Sequence, residues 1–404
     1  MSRASLVLVV NAGSSSLKYQ LLDPTVGATH ATGIVERIGV DGHLRQVAGD
    51  VEHEQDVACP DHGTALDAAL TAMRDHGPGF DPDSLLAVGH RVVHGGEEFG
   101  QPVVIDESVI QAVTELAPLA PLHNPANLKG IEATTHAFPR IPQVAVFDTA
   151  FHHTIPPSAH TYAVPREWRD KHGVRRYGFH GTSFAYVSRR AATLLDRPVD
   201  EVNLVVLHLG NGASACAVRE GQSVETSMGL SPLEGLVMGT RSGDVDPSLG
   251  AYLARVAGLD PGDYDEALNR RSGLKGLTGD SDFREVQSRR SRGDADAGLA
   301  FDVTVHRLLK YTGGYAVLLG RVDALVFTGG IGENSPELRA AVMEGLGLLG
   351  LELDETANAD GEPERKVTSA QSRVPAYVIP TNEELEIARA CLEVLGAAGT
   401  QGAD

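Results

Sequence analysis

Short apolar runs separated by small polar turns recur along the chain. Leu6–Asn11 is rich in Leu and Val, a Gly-Ser-Ser-Ser turn follows, and apolar positions resume over Leu17–Leu22. The same order returns in the second half, where Leu204–Leu209 precedes a Gly-Asn-Gly turn and Ala215–Val218. Runs bounded by turn residues in this way predict strands joined in tight hairpins. The repetition predicts two related α/β halves whose polar turns point into a shared cleft.

A third apolar run, Asp323–Phe327, predicts another strand, followed by a third glycine-rich turn over 328–334. Ser335 suits a helix N-cap and Pro336 the first helical position, and Leu338–Leu348 has helical spacing. Further helical patterns lie near 107–116, 184–195, 247–256 and 300–319, with a final helix from Glu383 and Glu384.

Length and charge narrow the class of protein. A chain of 404 residues with 42% apolar residues predicts a globular α/β enzyme of two domains. Its formal net charge of -20 repels nucleic-acid backbones, and the sequence has no local basic patch to overcome this. An anionic substrate would therefore be held by a few well-placed arginines and backbone N–H groups.

Cysteines and apolar runs bear on the compartment. Cys59, Cys216 and Cys391 are far apart and form no C-x-x-C pair, so we expect buried thiols in a reducing cytosol. No apolar run reaches the length of about 18 residues that suggests a membrane span, and none suits a signal peptide. The sequence predicts a soluble cytoplasmic protein without a membrane partner.

The glycine-rich turns suggest phosphate binding, because unhindered backbone N–H groups can converge on an anion. No lysine is followed by Ser or Thr, which excludes the usual P-loop. Gly210, Gly212 and Ala215 imitate the dinucleotide fingerprint, but a strand is predicted next where that fingerprint needs a helix. Phosphates held by the two hairpin turns, with the third turn near the nucleoside, fit better.

Two arginines are flanked by glycine, Arg91 in Gly89–Gly96 and Arg241 in Met238–Pro247. Each alone is typical of a surface loop, but glycine also lets backbone pack around a guanidinium and a bound oxyanion. Beside phosphate-binding turns, the pair favours a functional site.

Several histidines and acids are further candidates. His90 and His94 are predicted to be structural, whereas His123 could be either a packed or a functional residue. His180, before a Gly-Thr-Ser helix start, could donate to a developing negative charge. Asp148 ends the strand Val144–Phe147, where a turn residue or a magnesium-directed carboxylate belongs. The two acids that open the last helix suit its dipole, and one of them could also bind metal.

The sequence resembles the acetate kinase family, part of the larger group of actin-like, sugar-kinase-like and heat-shock-type ATPases. The resemblance covers essentially the whole chain and rests on five motifs, Val9–Lys18, Tyr177–Ser183, His208–Gly221, Met238–Pro247 and Thr328–Asn334. It implies two duplicated ribonuclease-H-like α/β domains with a central cleft, and usually a homodimer. The first domain would comprise residues 1–150 completed by the C-terminal helix, 384–404, and the second residues 151–383.

The resemblance also implies residue roles. Arg91 and Arg241 would hold the acyl carboxylate and the transferring phosphoryl group, and His180 would stabilise the transition state. The metal, Mg²⁺ with Mn²⁺ as an alternative, would be positioned by Asp148, Glu384 and Asn11, although Glu383 competes closely with Glu384. The remaining implied residues form four groups: Ser14, Ser16 and Lys18 in the first phosphate turn; His208, Leu209, Gly210, Asn211 (also catalytic) and Gly212 in the second; Asp282, Phe283, Arg284, Gly330, Ile331, Gly332, Glu333 and Asn334 around adenosine; and Val93, Leu122, Phe179 and Pro232 around the methyl group of the acid.

The implied reaction is the reversible transfer of the ATP γ-phosphoryl group to acetate, giving acetyl phosphate and ADP by direct in-line transfer. A sugar kinase must deprotonate a hydroxyl and needs a base, whereas a carboxylic acid is already ionised at neutral pH and needs cations. Propionate is the alternative acid, because one methylene changes discrimination by only ~1 to 3 kcal/mol. An alternative from another class is a nucleotide-switched ATPase module of the actin or heat-shock type.

Overall fold

The computed structural model describes residues 6–77 and 81–401, whose contacts divide into two compact units. Unit 1 contains the chain up to Ala150 and again from Asn382, and unit 2 is Phe151–Thr381. The first and last residues of the predicted first domain, 1 and 404, lie outside the described residues. Over the described ranges, every helix is too short or too polar to cross a bilayer.

The strands lie in one sheet in each unit. Those of unit 1 are β1 (Leu6–Ala12), β2 (Ser16–Asp23), β3 (Ala28–Glu36), β4 (Gly42–Ala48), β5 (Val51–Val57), β6 (Leu85–Val92), β7 (Val103–Val104) and β8 (Gln143–Phe147). Those of unit 2 are β9 (Asn203–Leu209), β10 (Ala213–Arg219), β11 (Gln222–Thr226), β12 (Ala324–Thr328), β13 (Arg365–Lys366) and β14 (Ala376–Val378).

The helices surround these sheets. In chain order they are α1 (His62–His76), α2 (Glu107–Glu115), α3 (Asn124–Ala137), α4 (Pro157–His160), α5 (Arg166–His172), α6 (Gly181–Leu194), α7 (Leu249–Ala257), α8 (Pro261–Arg270), α9 (Gly273–Thr278), α10 (Phe283–Ser291), α11 (Ala295–Leu319), α12 (Gly329–Asn334), α13 (Pro336–Gly345), α14 (Glu355–Ala359) and α15 (Glu383–Gln401). Helices α1 to α3 and α15 belong to unit 1, and α4 to α14 belong to unit 2.

The two sheets follow one plan. Their strand orders are β5-β4-β3-β2-β1-β6-β8-β7 and β11-β10-β9-β12-β14-β13. Each opens with three consecutive antiparallel strands, and its first strand then pairs in parallel with the next strand of the plan, β1 with β6 and β9 with β12. Each ends with an antiparallel edge strand. The predicted duplication is therefore confirmed, and unit 1 differs by the additional β4–β5 hairpin.

Each sheet contains a strand that is buried along its whole length. Strands β8 and β12 are buried at every position, as expected for parallel strands covered on both faces. In unit 1, α15 lies directly on β6: a Cβ atom at Gly89 would be 2.8 Å from Cγ2 of Ile387 and 2.9 Å from Sγ of Cys391. The last helix thus packs on the strand that carries Arg91. All three cysteines are buried and free, as predicted.

The predicted hairpins and the main helices are confirmed, but the glycine-rich turn predicted over 328–334 is wrong. Residues 329–334 form α12, which starts directly at the end of β12. Gly329 has a φ of +77°, and a Cβ atom there would lie 2.9 Å from the backbone of Leu209. Glycine serves close packing on β9 here, not a loop. Ser335 caps α13 through Leu338 N–H as predicted, although this helix ends at Gly345.

Candidate active site

The first phosphate turn of unit 1 joins β1 to β2. Asn11 and Lys18 are register partners on these strands, and Gly13 N–H donates to the Ser16 carbonyl at 2.8 Å to close the turn. Ser14 is exposed at its tip. Asn11, Lys18 and Glu384 line one groove of about 420 Å³. Three residues with predicted roles, which lie near opposite ends of the sequence, therefore line the same groove.

Arg91 lies at the end of β6 and forms a two-pronged ion pair with Asp148, which follows β8. Its Nε donates to Oδ1 at 2.9 Å and its Nη2 to Oδ2 at 2.7 Å. A carboxylate oxygen of Glu383 lies 3.7 Å from the same Nε. The Asp148 side chain is 2% exposed and that of Arg91 22% exposed, so the pair is largely withdrawn from water.

Burial and charge act against each other in this pair. Burial alone would lower the pKa of Arg91, but the carboxylates of Asp148 and Glu383 outweigh it and raise that pKa above its ordinary value. Burial raises the pKa of Asp148, against the opposing charge of Arg91. An additional cation beside a buried carboxylate of this kind would stabilise its charged form.

The oxygen donors of unit 1 fit a divalent cation that also binds substrate phosphates. In the described part of the chain, no three His, Cys, Asp or Glu side chains form a ready metal site. Mg²⁺ in phosphoryl-transfer enzymes typically uses only one or two carboxylates and completes its shell with water and phosphate. Asp148 beside Arg91, and Glu384 beside Asn11, supply such donors.

The second phosphate turn, in unit 2, joins β9 to β10. Gly210 N–H donates to the Gly212 carbonyl at 3.1 Å. A Cβ atom at Gly212 would lie 3.3 Å from Nη2 of Arg241 and 3.6 Å from Nε2 of His180. The structure thus brings the turn close to the side chains of both His180 and Arg241, and a Cβ atom at Gly212 would crowd the guanidinium.

His180 is held in an unusual backbone conformation. It precedes α6 with a φ of 58°, in the left-handed region. Its Nδ1 lies 2.8 Å from Oγ of Ser214, and its ring stacks on that of His208 at 4.3 Å between centroids. His208 Nδ1 is in turn 2.8 Å from Oγ of Ser183. Sequence reasoning missed both serines, although each lies inside a motif that it used.

Arg241 differs from Arg91 in its surroundings. Its Nη1 donates to the Pro232 carbonyl at 2.7 Å, and burial lowers the pKa of its guanidinium. Unit 2 is described throughout, and none of its carboxylates forms an ion pair with Arg241. Because a largely buried charge is expensive without a counter-charge, this guanidinium suits a bound anion.

The residues predicted around adenosine fall into two sets. Phe283 and Ile331 line one narrow apolar cavity of about 20 Å³ together with Leu209 and Gly210 of the second phosphate turn. Others are occupied within the protein: Asp282 caps α10 and pairs with the exposed Arg284, Glu333 accepts from Gly329 N–H at 2.8 Å, and Asn334 donates to the Gly330 carbonyl at 2.9 Å. Gly332 lies in α12, between Ile331 and Glu333 in the sequence.

The four residues predicted around the methyl group have unlike surroundings. In unit 1, Val93 is 9% exposed and Leu122 is 53% exposed. In unit 2, Phe179 is 2% exposed, and half-buried Pro232 presents its carbonyl to Arg241. Within unit 2, Pro232 of the predicted methyl site is therefore in direct contact with Arg241.

Known proteins match this chain over nearly its whole length. A family model described as the Acetokinase family matches residues 6–389. The acetate kinase of Leifsonia xyli subsp. xyli is 54% identical over 395 residues, covering 97% of this chain and all of that protein. The crystal structure of Porphyromonas gingivalis acetate kinase has a TM-score of 0.92 at 42% identity, covering 97% of this chain and 100% of that one. The crystal structure of a propionate kinase from Francisella tularensis subsp. tularensis SCHU S4 has a TM-score of 0.90 at 40% identity, covering 96% and 98%.

The duplicated sheets and these full-length similarities define a kinase built on two related α/β sheets. The phosphate turns and buried arginines are consistent with that class. More narrowly, the chain belongs to the acetokinase family.

Proposed function

We propose that this chain catalyses the reversible, Mg²⁺-dependent transfer of the ATP γ-phosphoryl group to acetate. A carboxylate oxygen of acetate attacks the γ-phosphorus, and the bond from that phosphorus to the oxygen bridging it to the β-phosphorus breaks. Acetyl phosphate and ADP are formed in one in-line step. No general base is needed, because the acid is already ionised.

The observation that carries this proposal is the uncompensated guanidinium of Arg241. It lies beside Gly212 and Nε2 of His180, and its own unit supplies no carboxylate to neutralise it. When Ser214 donates to Nδ1 of His180, Nε2 carries the ring proton and donates. A cationic group and a ring N–H donor that both lie beside Gly212 suit the negative oxygens of a transferring phosphoryl group.

In unit 1 we assign the first phosphate turn to the nucleotide and Arg91 to the acid or the phosphoryl group. Asp148 holds Arg91 in a fixed orientation by two hydrogen bonds. Asn11, Asp148 and Glu384 would hold Mg²⁺, which when bound supplies charge neutralisation between the phosphates. The donor set fits Mn²⁺ as well. The choice of Glu384 over Glu383 is supported by its place beside Asn11 and Lys18 in one groove.

Three further assignments complete the proposal. The similarity to acetate kinases favours acetate, and the similarity to a propionate kinase makes propionate the second acid. We propose that the two compact units are the two acetokinase domains, and that the enzyme acts in the cytoplasm as a homodimer.

Trapping of the product with hydroxylamine tests the reaction. Purified protein with Mg-ATP is incubated with acetate, propionate, butyrate or glycerol in parallel, and the hydroxamate formed is measured. A signal that is largest with acetate supports the proposal, and a larger one with propionate changes only the acid. ATP hydrolysis without dependence on any acid, or polymerisation on adding ATP, would instead favour a nucleotide-switched ATPase module.

A further inference from the structure

Two buried asparagines lie in the first turn of α3, where the sequence is Asn-Pro-Ala-Asn. Asn124 is fully buried and Asn127 is 3% exposed. A buried side-chain amide is costly unless its oxygen and its nitrogen both have hydrogen-bond partners. In both residues these partners are backbone groups that lie far away along the chain.

Asn127 connects two segments of unit 1 that carry predicted functional residues. Its Nδ2 donates to the Ala12 carbonyl at 2.9 Å, and its Oδ1 accepts from the Val93 N–H at 3.1 Å. Ala12 ends β1 immediately before the first phosphate turn, and Val93 follows β6 two residues after Arg91. One partner requires a donor and the other an acceptor, so the amide orientation is fixed by the backbone.

The amide is inserted where two neighbouring strands cease to pair. The parallel register of β1 and β6 runs as far as Val10 and His90. Beyond that pair, Asn127 satisfies one backbone group at the end of β1 and one just after β6, as a peptide group of the ladder would. Gly130 allows this approach, since a Cβ atom there would lie 2.6 Å from Cβ of Ala12. One side chain therefore sets the spacing of the two strand ends.

We propose that Asn127 is a positioning residue that fixes the distance between the first phosphate turn and the Arg91 segment. The inference rests on the proposed function, in which the turn holds the nucleotide and Arg91 holds the acid or the phosphoryl group. In-line transfer requires the reacting groups to be aligned, and a misplacement of about 1 Å can lower the rate about 100-fold. The loss should therefore fall on kcat, while each segment keeps its own affinity.

The chain offers a matched control on the same helix. Asn124 is equally buried and also makes two hydrogen bonds, accepting from the His94 N–H at 3.1 Å and donating to the His94 carbonyl at 3.0 Å. Both of these bonds reach one residue, so Asn124 does not connect two segments. A change here removes similar interactions without altering the distance from the phosphate turn.

The test compares Asn127→Leu with Asn124→Leu in the full chain. The hydroxylamine assay gives kcat and the KM values for ATP and acetate, and thermal unfolding is measured in parallel. For Asn127→Leu we expect kcat to fall about tenfold or more, with both KM values within about threefold of wild type. Asn124→Leu should keep kcat within about threefold at a comparable loss of melting temperature. A normal kcat in Asn127→Leu, or an equal kcat loss in both variants, would overturn the proposal.

A second variant covers the case in which Asn127→Leu does not fold. Asn127→Asp keeps an acceptor for Val93 N–H but presents a carboxylate oxygen to the Ala12 carbonyl, so the same tenfold criterion on kcat applies. Failure of the proposed function would be separate, because wild-type protein would then form no hydroxamate with any acid. Failure of the positioning role leaves wild type active and changes only the ratio between variants.

Discussion

The two units share a strand order but differ in how they treat their glycine-flanked arginine. In unit 1, Arg91 donates two hydrogen bonds to Asp148, and Glu383 lies nearby. In unit 2, Arg241 donates to a carbonyl and no carboxylate of that unit pairs with it. Arg91 lies at the end of strand β6, whereas Arg241 lies in the segment between β11 and α7, so the two arginines do not occupy equivalent places in the shared strand order.

The contrast suggests a division of labour on a duplicated scaffold. A guanidinium that already has a counter-charge is rigid and pre-oriented, and its carboxylate is available to a metal ion. A guanidinium without one carries an electrostatic penalty that an anionic substrate removes on binding. Unit 1 therefore suits orientation and metal binding, and unit 2 suits stabilisation of negative charge.

The largest expected effect is on catalysis, in unit 2. Arg241→Ala should lower kcat by about 100- to 1,000-fold, because a preorganised cation beside the phosphoryl group is lost. The same change should leave the free energy of unfolding nearly unchanged, since no carboxylate is left unpaired. Activity and chemical denaturation are measured on one preparation, with Arg241→Lys as the control that keeps the charge. Near-normal turnover of Arg241→Ala would refute the proposed mechanism.

The corresponding change in unit 1 should behave differently. Arg91→Ala leaves Asp148 buried without its cation, which should lower the free energy of unfolding by about 3 kcal/mol in addition to reducing activity. Denaturation curves for Arg91→Ala and for Arg91→Ala with Asp148→Asn test the cause. If Asp148→Asn restores none of the lost free energy of unfolding, the loss does not come from the unpaired carboxylate of Asp148. The contrast between the units would then be weaker than we infer.

How much the sequence predicts depends on whether the interaction is local. Strands β1, β2, β9 and β10 follow from short apolar runs and turn residues. The β4–β5 hairpin was not predicted, because β5 is mostly polar and exposed and has no apolar face. Segment 329–334 contains three glycines, and packing on β9 overrides their low helix propensity.

In the candidate site, too, the sequence predicts local features but not long-range contacts. Its glycine turns and arginines are visible as motifs, and the resemblance gave each a role. The ion pair of Arg91 joins residues 57 positions apart and draws on Glu383 from the last helix, so only the folded chain reveals it. The bridge made by Asn127 spans 115 positions in the same way. Contacts of this range have no periodic signal in a single sequence.

A smaller effect concerns stability and pH, and it should be alike in the two units. Burial lowers the pKa of His90 in unit 1 and of His152 in unit 2 to about 4. Since the unfolded pKa is about 6.5, the unfolded chain gains protons below that pH that the folded protein does not bind. Stability should therefore fall from pH 7 to pH 5, by about 2 kcal/mol for each histidine.

Denaturation at pH 7 and pH 5 measures this loss, using His90→Gln and His152→Gln separately. Each variant should show a smaller difference between the two pH values than wild type, whatever its own stability. Equal slopes in wild type and both variants would mean that these histidines are not held neutral by burial.

The smallest effect would distinguish the two acids at the start of α15. Glu384 shares a groove with Asn11 and Lys18, whereas Glu383 lies 3.7 Å from Arg91. If Glu384 holds the metal ion, Glu384→Gln should raise the Mg²⁺ concentration for half-maximal activity about tenfold, because a neutral amide binds Mg²⁺ less well than a carboxylate. Glu383→Gln should shift it less and should act mainly through the orientation of Arg91. Titration of activity with Mg²⁺ at saturating ATP compares the two variants. A larger shift for Glu383→Gln would instead assign the metal ligand to Glu383, beside the ion pair of Arg91 and Asp148.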